Sequence, residues 1–228
     1  MSLQIKTTNN RQNIKLDLLA YGLPNTEKTL SIARLQHAGF NPFVIACDPG
    51  GMSTLGEFNI PFIEIDKIAD LYLAIGAIRK GQIDLRPYDL ICLDGATNLS
   101  YMCLKATGEN SPDRRLDYAR GYIDFRRLID DIRRFPMHVY MNAHEVLLKD
   151  GKYGAMCEGA KYAIQFTGLM NHVINMRRVQ VQDNNGNVAS KVIVQTSDDG
   201  VYTCRVRNKI VNMYEPTIVE AVQKILTI

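Results

Sequence analysis

The sequence predicts an α/β protein with a mainly parallel sheet that continues into antiparallel C-terminal strands. Three observations predict it. Short apolar runs rich in β-branched residues stop abruptly at an acid or a turn residue, as strands buried on both faces do. Between them, apolar residues recur at helical spacing, and alternation of the two patterns is the signature of βαβ units. After about residue 172 the spacers shrink to hairpin turns.

In order, Ile14 to Tyr21 reads as the first strand and Gly22 to Thr26 as a loop. Leu30, Ile32, Ala33 and Leu35 then mark a helix stopped by Gly39. Phe43 to Cys47 reads as a buried strand ending at Asp48 and the turn Pro49-Gly50-Gly51, and Pro61 to Ile65 as another. Asp66 is placed to N-cap a helix carrying Ile68, Leu71, Tyr72, Ile75 and Ile78, with Gly81 at its C-terminal cap. Tyr88 to Leu93 is a third buried strand ending at Asp94, followed by helix around Leu99 to Ala106. A long helix is expected from about Asp113 to Phe135, its apolar side formed by Leu116, Ala119, Tyr122, Ile123, Phe125, Leu128, Ile129 and Ile132. Pro136 ends it, and Met137 to Ala143 follows as a strand. Val173 to Gln182, Val188 to Gln195 and Val201 to Arg207, separated by Asn- and Asp-Gly-rich turns, read as an antiparallel meander. Pro216 opens a final helix with Ile218, Val219, Val222, Ile225 and Leu226.

The expected organisation is a single domain over residues 1–228, with residues 1–13 an N-terminal arm and residues 173–228 the meander and last helix. The 228 residues suffice for one sizeable core, and 46% hydrophobic with 22% charged residues is ordinary for a globular chain. No apolar run approaches the roughly 18 residues of a membrane span, and Met1 to Asn13 is polar without a signal core, so a cytoplasmic location and no membrane partner are expected. The net charge of +3 is too mild to prove nucleic-acid binding. Five scattered cysteines without a CxxC pair read as thiols of a reducing compartment, with Cys47, Cys92 and Cys204 in apolar runs; the four histidines lack metal-ligand spacing.

Gly22-Leu23-Pro24-Asn25-Thr26-Glu27-Lys28-Thr29 sits between a strand and a helix, where a phosphate-binding P-loop belongs. In the pattern GxxxxGK[ST], backbone N–H groups wrap the phosphates, the lysine reaches the terminal ones and the hydroxyl binds Mg²⁺. Gly22, Lys28 and Thr29 match, whereas Glu27 replaces the glycine before the lysine. That substitution is expected to weaken nucleotide binding by adding bulk and negative charge to the anion cradle. Alone, the segment also fits an ordinary strand–turn–helix with an incidental Lys-Thr. Tyr88-Asp89-Leu90-Ile91-Cys92-Leu93-Asp94, an apolar strand ending in an acid, fits the second element of such sites, whose aspartate holds the Mg²⁺ shell.

Taken with Cys47-Asp48-Pro49-Gly50-Gly51, Leu90-Ile91-Cys92-Leu93-Asp94-Gly95, Asp117-Tyr118-Ala119-Arg120-Gly121-Tyr122, Met141-Asn142-Ala143-His144-Glu145 and Arg205-Val206-Arg207-Asn208-Lys209, the order of motifs resembles the RecA-like P-loop ATPases carried by bacteriophages, in particular those associated with single-strand annealing and recombination. The resemblance spans nearly the whole chain. It implies a RecA-like P-loop NTPase core that binds ATP and Mg²⁺ and acts on single-stranded DNA as a homo-oligomer. It implies that Gly22, Pro24, Asn25, Thr26, Lys28 and Thr29 hold the nucleotide, and that Thr29 and Asp94 hold the metal. Asp48 is implied as the acid that polarises the attacking water, one methylene shorter than the usual Glu, and His144 as a polar sensor of the γ-phosphate.

The resemblance also implies DNA-binding loops after the third and fourth core strands, here Thr107 to Arg115 and Leu148 to Phe166. In the second, Lys152, Tyr153, Lys161 and Tyr162 combine phosphate-neutralising and base-stacking groups; a flexible loop with its tyrosines packed inward is the other reading. Arg126, Arg127, Arg133 and Arg134, interspersed with acids, read as a solvated face. Alternation along Val201 to Arg207 is expected to put Arg205 and Arg207 on one strand face, and the resemblance implies that Arg207 and Lys209 act in trans on a neighbour's nucleotide. A solvated edge strand is the alternative there. Two other functions share these motifs: a non-hydrolysing nucleotide-binding or structural module, and a DNA packaging or replication motor. The motor expects a Glu beside the metal-holding aspartate, where this chain has Gly95 after Asp94.

Overall fold

The computed structural model describes residues 15–108, 113–182, 186–207 and 211–227. Their central element is an eight-stranded sheet. Its strands are β1 (Asp17–Tyr21), β2 (Pro42–Ala46), β3 (Phe62–Glu64), β4 (Leu90–Asp94), β5 (His138–Ala143), β8 (His172–Gln182), β9 (Val188–Gln195) and β10 (Tyr214–Glu215), in the spatial order β10-β9-β8-β1-β5-β4-β2-β3. Strands β3, β2, β4, β5, β1 and β8 are mutually parallel, while β9 pairs antiparallel to both β8 and β10. This is the α/β architecture with antiparallel C-terminal strands that the sequence predicts.

The sheet is covered on both faces, and the alternation of side chains along each strand sorts them. Leu19, Tyr21, Ile45, Ile91, Leu93, Val139 and Met141 face one core. Its helices are α2 (Ile68–Arg79), α3 (Ala96–Gly108), α4 (Arg114–Arg133) and α5 (Ala160–Leu169). Leu18, Ala20, Val44, Cys92 and Tyr140 face the other, against α1 (Leu30–His37) and α6 (Ile218–Leu226). All five cysteines are free and buried, and among the described residues no helix is long and apolar enough to cross a membrane.

Several local readings change. Lys67, not Asp66, occupies the N-cap position of α2, its backbone N–H donating to the Asp70 carboxylate at 3.1 Å. Leu116 and Ile123 are exposed rather than on the apolar side of α4, because that side is narrower than the sequence pattern implies; its buried apolar residues are Tyr122, Phe125, Leu128, Ile129 and Ile132. Residues 201–207 form no third meander strand. The Asp199 carboxylate accepts from the Val201 and Tyr202 N–H groups in a local turn. The segment then makes isolated bridges to two different partners, Tyr202 to Tyr153 and Arg205 to Val173. The third antiparallel strand is instead β10. The segment expected to be a flexible loop after β5 folds as a hairpin, β6 (Glu145–Leu147) with β7 (Tyr153–Ala155), and then as α5. The N-terminal arm and Lys209 lie outside the described residues.

Candidate nucleotide site

The loop from Gly22 to Thr29 leaves the end of β1 and enters α1. A Cβ on Gly22 would lie 2.1 Å from the Met176 carbonyl oxygen, so this position accepts no side chain without moving β8. The loop curls around its own lysine. Lys28 Nζ donates to the carbonyls of Gly22 at 2.9 Å and Leu23 at 2.7 Å, and Thr26 Oγ1 donates to the same Leu23 carbonyl at 2.8 Å. Burial lowers the Lys28 pKa to about 8, while Asp94, Glu145 and Asp48 pull it upward.

Asn25 and Glu27 both take left-handed backbone conformations, each with φ of 63°. The glycine of the pattern is therefore expected at position 27 for a physical reason, and Glu27 adopts the glycine conformation regardless. Its carboxylate pairs with Arg34 and lies 3.8 Å from Arg178, on the wall of the loop rather than unpaired in its middle.

Thr29 stands at the N-terminus of α1 but makes no helix-capping bond; its hydroxyl donates instead to Asp94 Oδ1 at 2.8 Å. Asp94 ends β4. Strand β5 lies between β1 and β4, so Asn142, near the end of β5, stands beside Asp94. Asn142 Nδ2 donates to Asp94 Oδ1, and its Oδ1 accepts from the Gly95 N–H at 2.7 Å. Burial raises the Asp94 pKa; the bonds from Asn142 and Thr29 work against it. Asp94 Oδ2 is buried without a partner, and a Cβ on Gly51 would lie 2.4 Å from it. An orphaned carboxylate oxygen and a hydroxyl on the same acid, facing space that only a glycine leaves open, suit Mg²⁺. That ion takes one or two carboxylates and completes its shell with water and phosphate. Among the described residues, no cluster of three or more His, Cys, Asp or Glu offers an all-protein metal cage.

A cavity of about 470 Å³ opens over the loop. Asp48, Gly51, Asn142 and His144 line it together with Asn25 to Leu30. Asp48 is half-buried and accepts from Asn98 Nδ2 at 3.0 Å. Burial, and then the Lys28 charge, lower the His144 pKa, so the imidazole is held toward its neutral form. Gly95 has φ of 92°, and a Cβ there would lie 2.9 Å from the Asp48 backbone nitrogen. The residue after Asp94 is thus sterically confined to glycine, and the acid nearest to Asp94 across this contact is Asp48.

Of the predicted nucleotide, metal and catalytic residues, all but Gly22 and Asp94 line this one cavity; Asp94 is joined to it through Thr29, and the Gly22 carbonyl through Lys28. The predicted DNA residues do not form one loop. Lys152 is held by both oxygens of Asp198 at 2.9 Å, and Tyr153 stacks on Tyr202 with centroids 5.4 Å apart. Lys161 and Tyr162 lie on α5, where the Tyr162 ring stacks on Tyr122 at 4.4 Å. There Lys161 joins Arg126, Arg127 and Arg134 around a groove of about 600 Å³ between α4 and α5. Arg207 is exposed, and its N–H points to His172 Nδ1 at 3.5 Å. His172 pairs with Leu18 whereas Asn175 pairs with Tyr21, so Arg207 sits about 10 Å along the strand from the end that carries the chain's own P-loop. The expected strand face shared by Arg205 and Arg207 does not exist, because residues 201–207 make only isolated bridges; the Arg205 guanidinium donates to the Met170 carbonyl at 2.5 Å. Two residues of the site escaped the sequence reading. Asn142 lies inside a quoted motif and its signal was its place at a strand end, whereas Arg178 reaches the loop across 153 residues and had none.

A family profile described as AAA domain matches residues 14–203. The chain belongs to the AAA domain family. The match covers β1 through the bridge at Tyr202, including the P-loop, Asp48, Asp94 and His144, and places the chain among nucleotide-binding P-loop ATPases. No curated protein matches it.

Proposed function

We propose that this AAA domain binds ATP with Mg²⁺ and hydrolyses it, and that it does so as a homo-oligomer acting on single-stranded DNA in recombination or annealing, in the cytoplasm of a host cell. The observation that carries the nucleotide reading is the contact at 2.8 Å between Thr29 and Asp94 beneath a loop curled around Lys28. It joins the two halves of a phosphate and metal site from elements far apart in sequence. Thr29 and Asp94 would hold Mg²⁺, which neutralises phosphate charge when bound. Loop N–H groups and Lys28 orient the phosphate tail, Asp48 accepts a hydrogen bond from the attacking water, and His144 donates one toward the terminal phosphate.

For DNA, the α4–α5 groove supports the reading better than the hairpin does. Among its lining residues Arg126, Arg127, Arg134 and Lys161 outnumber Asp130, although Arg126 pairs with Asp130 and Arg134 with Asp131, and Tyr162 offers an aromatic surface. Arg207 and Lys209 are the cations proposed for the neighbour's site.

Equilibrium binding of MgATP, and phosphate release with and without single-stranded DNA, test the proposal. MgATP binding with DNA-stimulated turnover is the expected result. Binding without turnover leaves the non-hydrolysing module, and no MgATP binding overturns the nucleotide reading. Arg126→Glu with Lys161→Glu is expected to abolish salt-sensitive DNA binding; undiminished binding moves the DNA surface elsewhere.

A further inference from the structure

We propose that Arg178, supplied by the same chain from β8, binds the phosphate tail of the nucleotide, and that Glu27 is the counter-ion it leaves when the nucleotide arrives. The inference rests on the nucleotide-binding reading above. Arg178 is among the residues lining the cavity over the loop. Its guanidinium lies against the loop itself, Nη2 donating to the Asn25 carbonyl at 2.8 Å and Nε at 3.3 Å. Its charge faces Glu27, which also pairs with Arg34.

One carboxylate thus answers two guanidiniums, and it holds them unequally. Arg34 is in direct hydrogen-bond contact, whereas Arg178 stands 3.8 Å away with 45% of its side chain exposed. Arg178 is the cation that the carboxylate holds less tightly; its direct bonds are to the Asn25 carbonyl and, at 3.5 Å, to Ser190 Oγ. A guanidinium presents a planar fork of donors that matches a phosphate edge, and the nearest polyanion this cavity would admit is one seated in the loop. Glu27 competes with that anion for Arg178. The two residues form a charge latch: in the free protein the latch neutralises the cation, and in the complex the phosphate replaces the carboxylate.

Titrations of the full chain with MgATP, MgADP and adenosine test this. Arg178→Ala is expected to weaken MgATP binding by about tenfold or more, as loss of a charge-assisted contact does, and to leave adenosine binding and the melting temperature unchanged. Arg178→Lys restores only part of the loss, because a point charge lacks the fork. Glu27→Gln tightens MgATP binding several-fold in the wild type and has no such effect in the Arg178→Ala background. MgATP binding by Arg178→Ala equal to that of the wild type overturns the proposal, as does a Glu27→Gln effect of the same size in both backgrounds. A wild-type protein that binds no MgATP overturns the nucleotide reading itself, so the two failures are distinct.

Discussion

Replacing Asn142 by Ala removes the residue that ties β4 to β5 at the centre of the site. Asn142 is 4% exposed and Asp94 fully buried, so water cannot readily replace what is lost. Two bonds disappear: the donor to the Asp94 carboxylate, and the acceptor for the Gly95 N–H at 2.7 Å. A hydrogen bond to a charged group contributes about 1.5–3 kcal/mol, and a buried N–H left without an acceptor costs about 1–3 kcal/mol. The variant is therefore expected to lose about 2.5–6 kcal/mol near pH 8. The loss depends on pH in a definite direction. Burial already raises the folded-state pKa of Asp94, and Asn142 is the largest influence opposing that rise. Without it the folded pKa climbs further above the unfolded value of about 3.9. A carboxyl whose folded pKa is raised costs nothing while protonated in both states, and costs stability as pH rises through the unfolded value toward the folded one. The deficit should thus shrink toward about 1–3 kcal/mol, the N–H contribution alone, at acidic pH. Urea unfolding of wild type and variant at about pH 3, below the unfolded value, and at about pH 8 reads both quantities. A deficit below about 1 kcal/mol, or one equal at the two pH values, would refute the reasoning.

Three further outcomes follow from the loop. Lys28, held down to about 8 by burial, must be charged to meet phosphate, so MgATP affinity should fall as pH rises from 7 to 9.5, by up to about tenfold per unit above the free-state pKa; a flat profile in equilibrium titrations would place Lys28 outside the phosphate contact. The same depressed pKa makes the free protein more stable, not less, as pH rises from about 8 toward about 10.4, because the unfolded chain binds the extra proton there. Gly22→Ala should cost about 1–3 kcal/mol and abolish nucleotide binding, since its Cβ falls at 2.1 Å from the Met176 oxygen where 3.4–4 Å is ordinary contact; near-wild-type urea midpoints would show that β8 yields easily.

What the sequence made legible was whatever is encoded locally. The buried strands are largely apolar runs that stop at polar or turn residues, so their succession along the chain and their alternation with helices, which argue a parallel sheet, follow from pattern, whereas their spatial order in the sheet does not. The P-loop and Asp94 were legible because their chemistry sits on the elements that must carry it. The errors arose where a local pattern has a non-local use. Val201 to Arg207 alternates like a strand, but its partners are Tyr153 and Val173 and no ladder forms. The glycines after β5 suggest a loose loop. Yet Gly154 is packed against Leu148, where a Cβ would come within 2.6 Å of the side chain, and Gly159, with φ of 87°, is the N-cap of α5. Arg178 could not be read at all, since its role depends on β8 lying beside β1.

Glu27 is where sequence logic and structure diverge most usefully. The argument from pattern treats the missing glycine as damage, because bulk and charge enter an anion cradle. The backbone answers the first part: position 27 takes the left-handed conformation that the pattern demands. A side chain in that conformation costs about 1–2 kcal/mol. The ion pair with Arg34 does not fully offset this, because both side chains are partly exposed and such pairs contribute about 0.2–1 kcal/mol. The rest of the restraint comes from the loop's own polar bonds through Lys28 and from β1 and β8 packed beneath it, which fix the ends of the turn whichever residue occupies it. The charge is answered separately, by two arginines around one carboxylate. The substitution therefore retains the fold of the loop and changes its electrostatics, which makes nucleotide affinity, rather than stability, the property on which Glu27 acts.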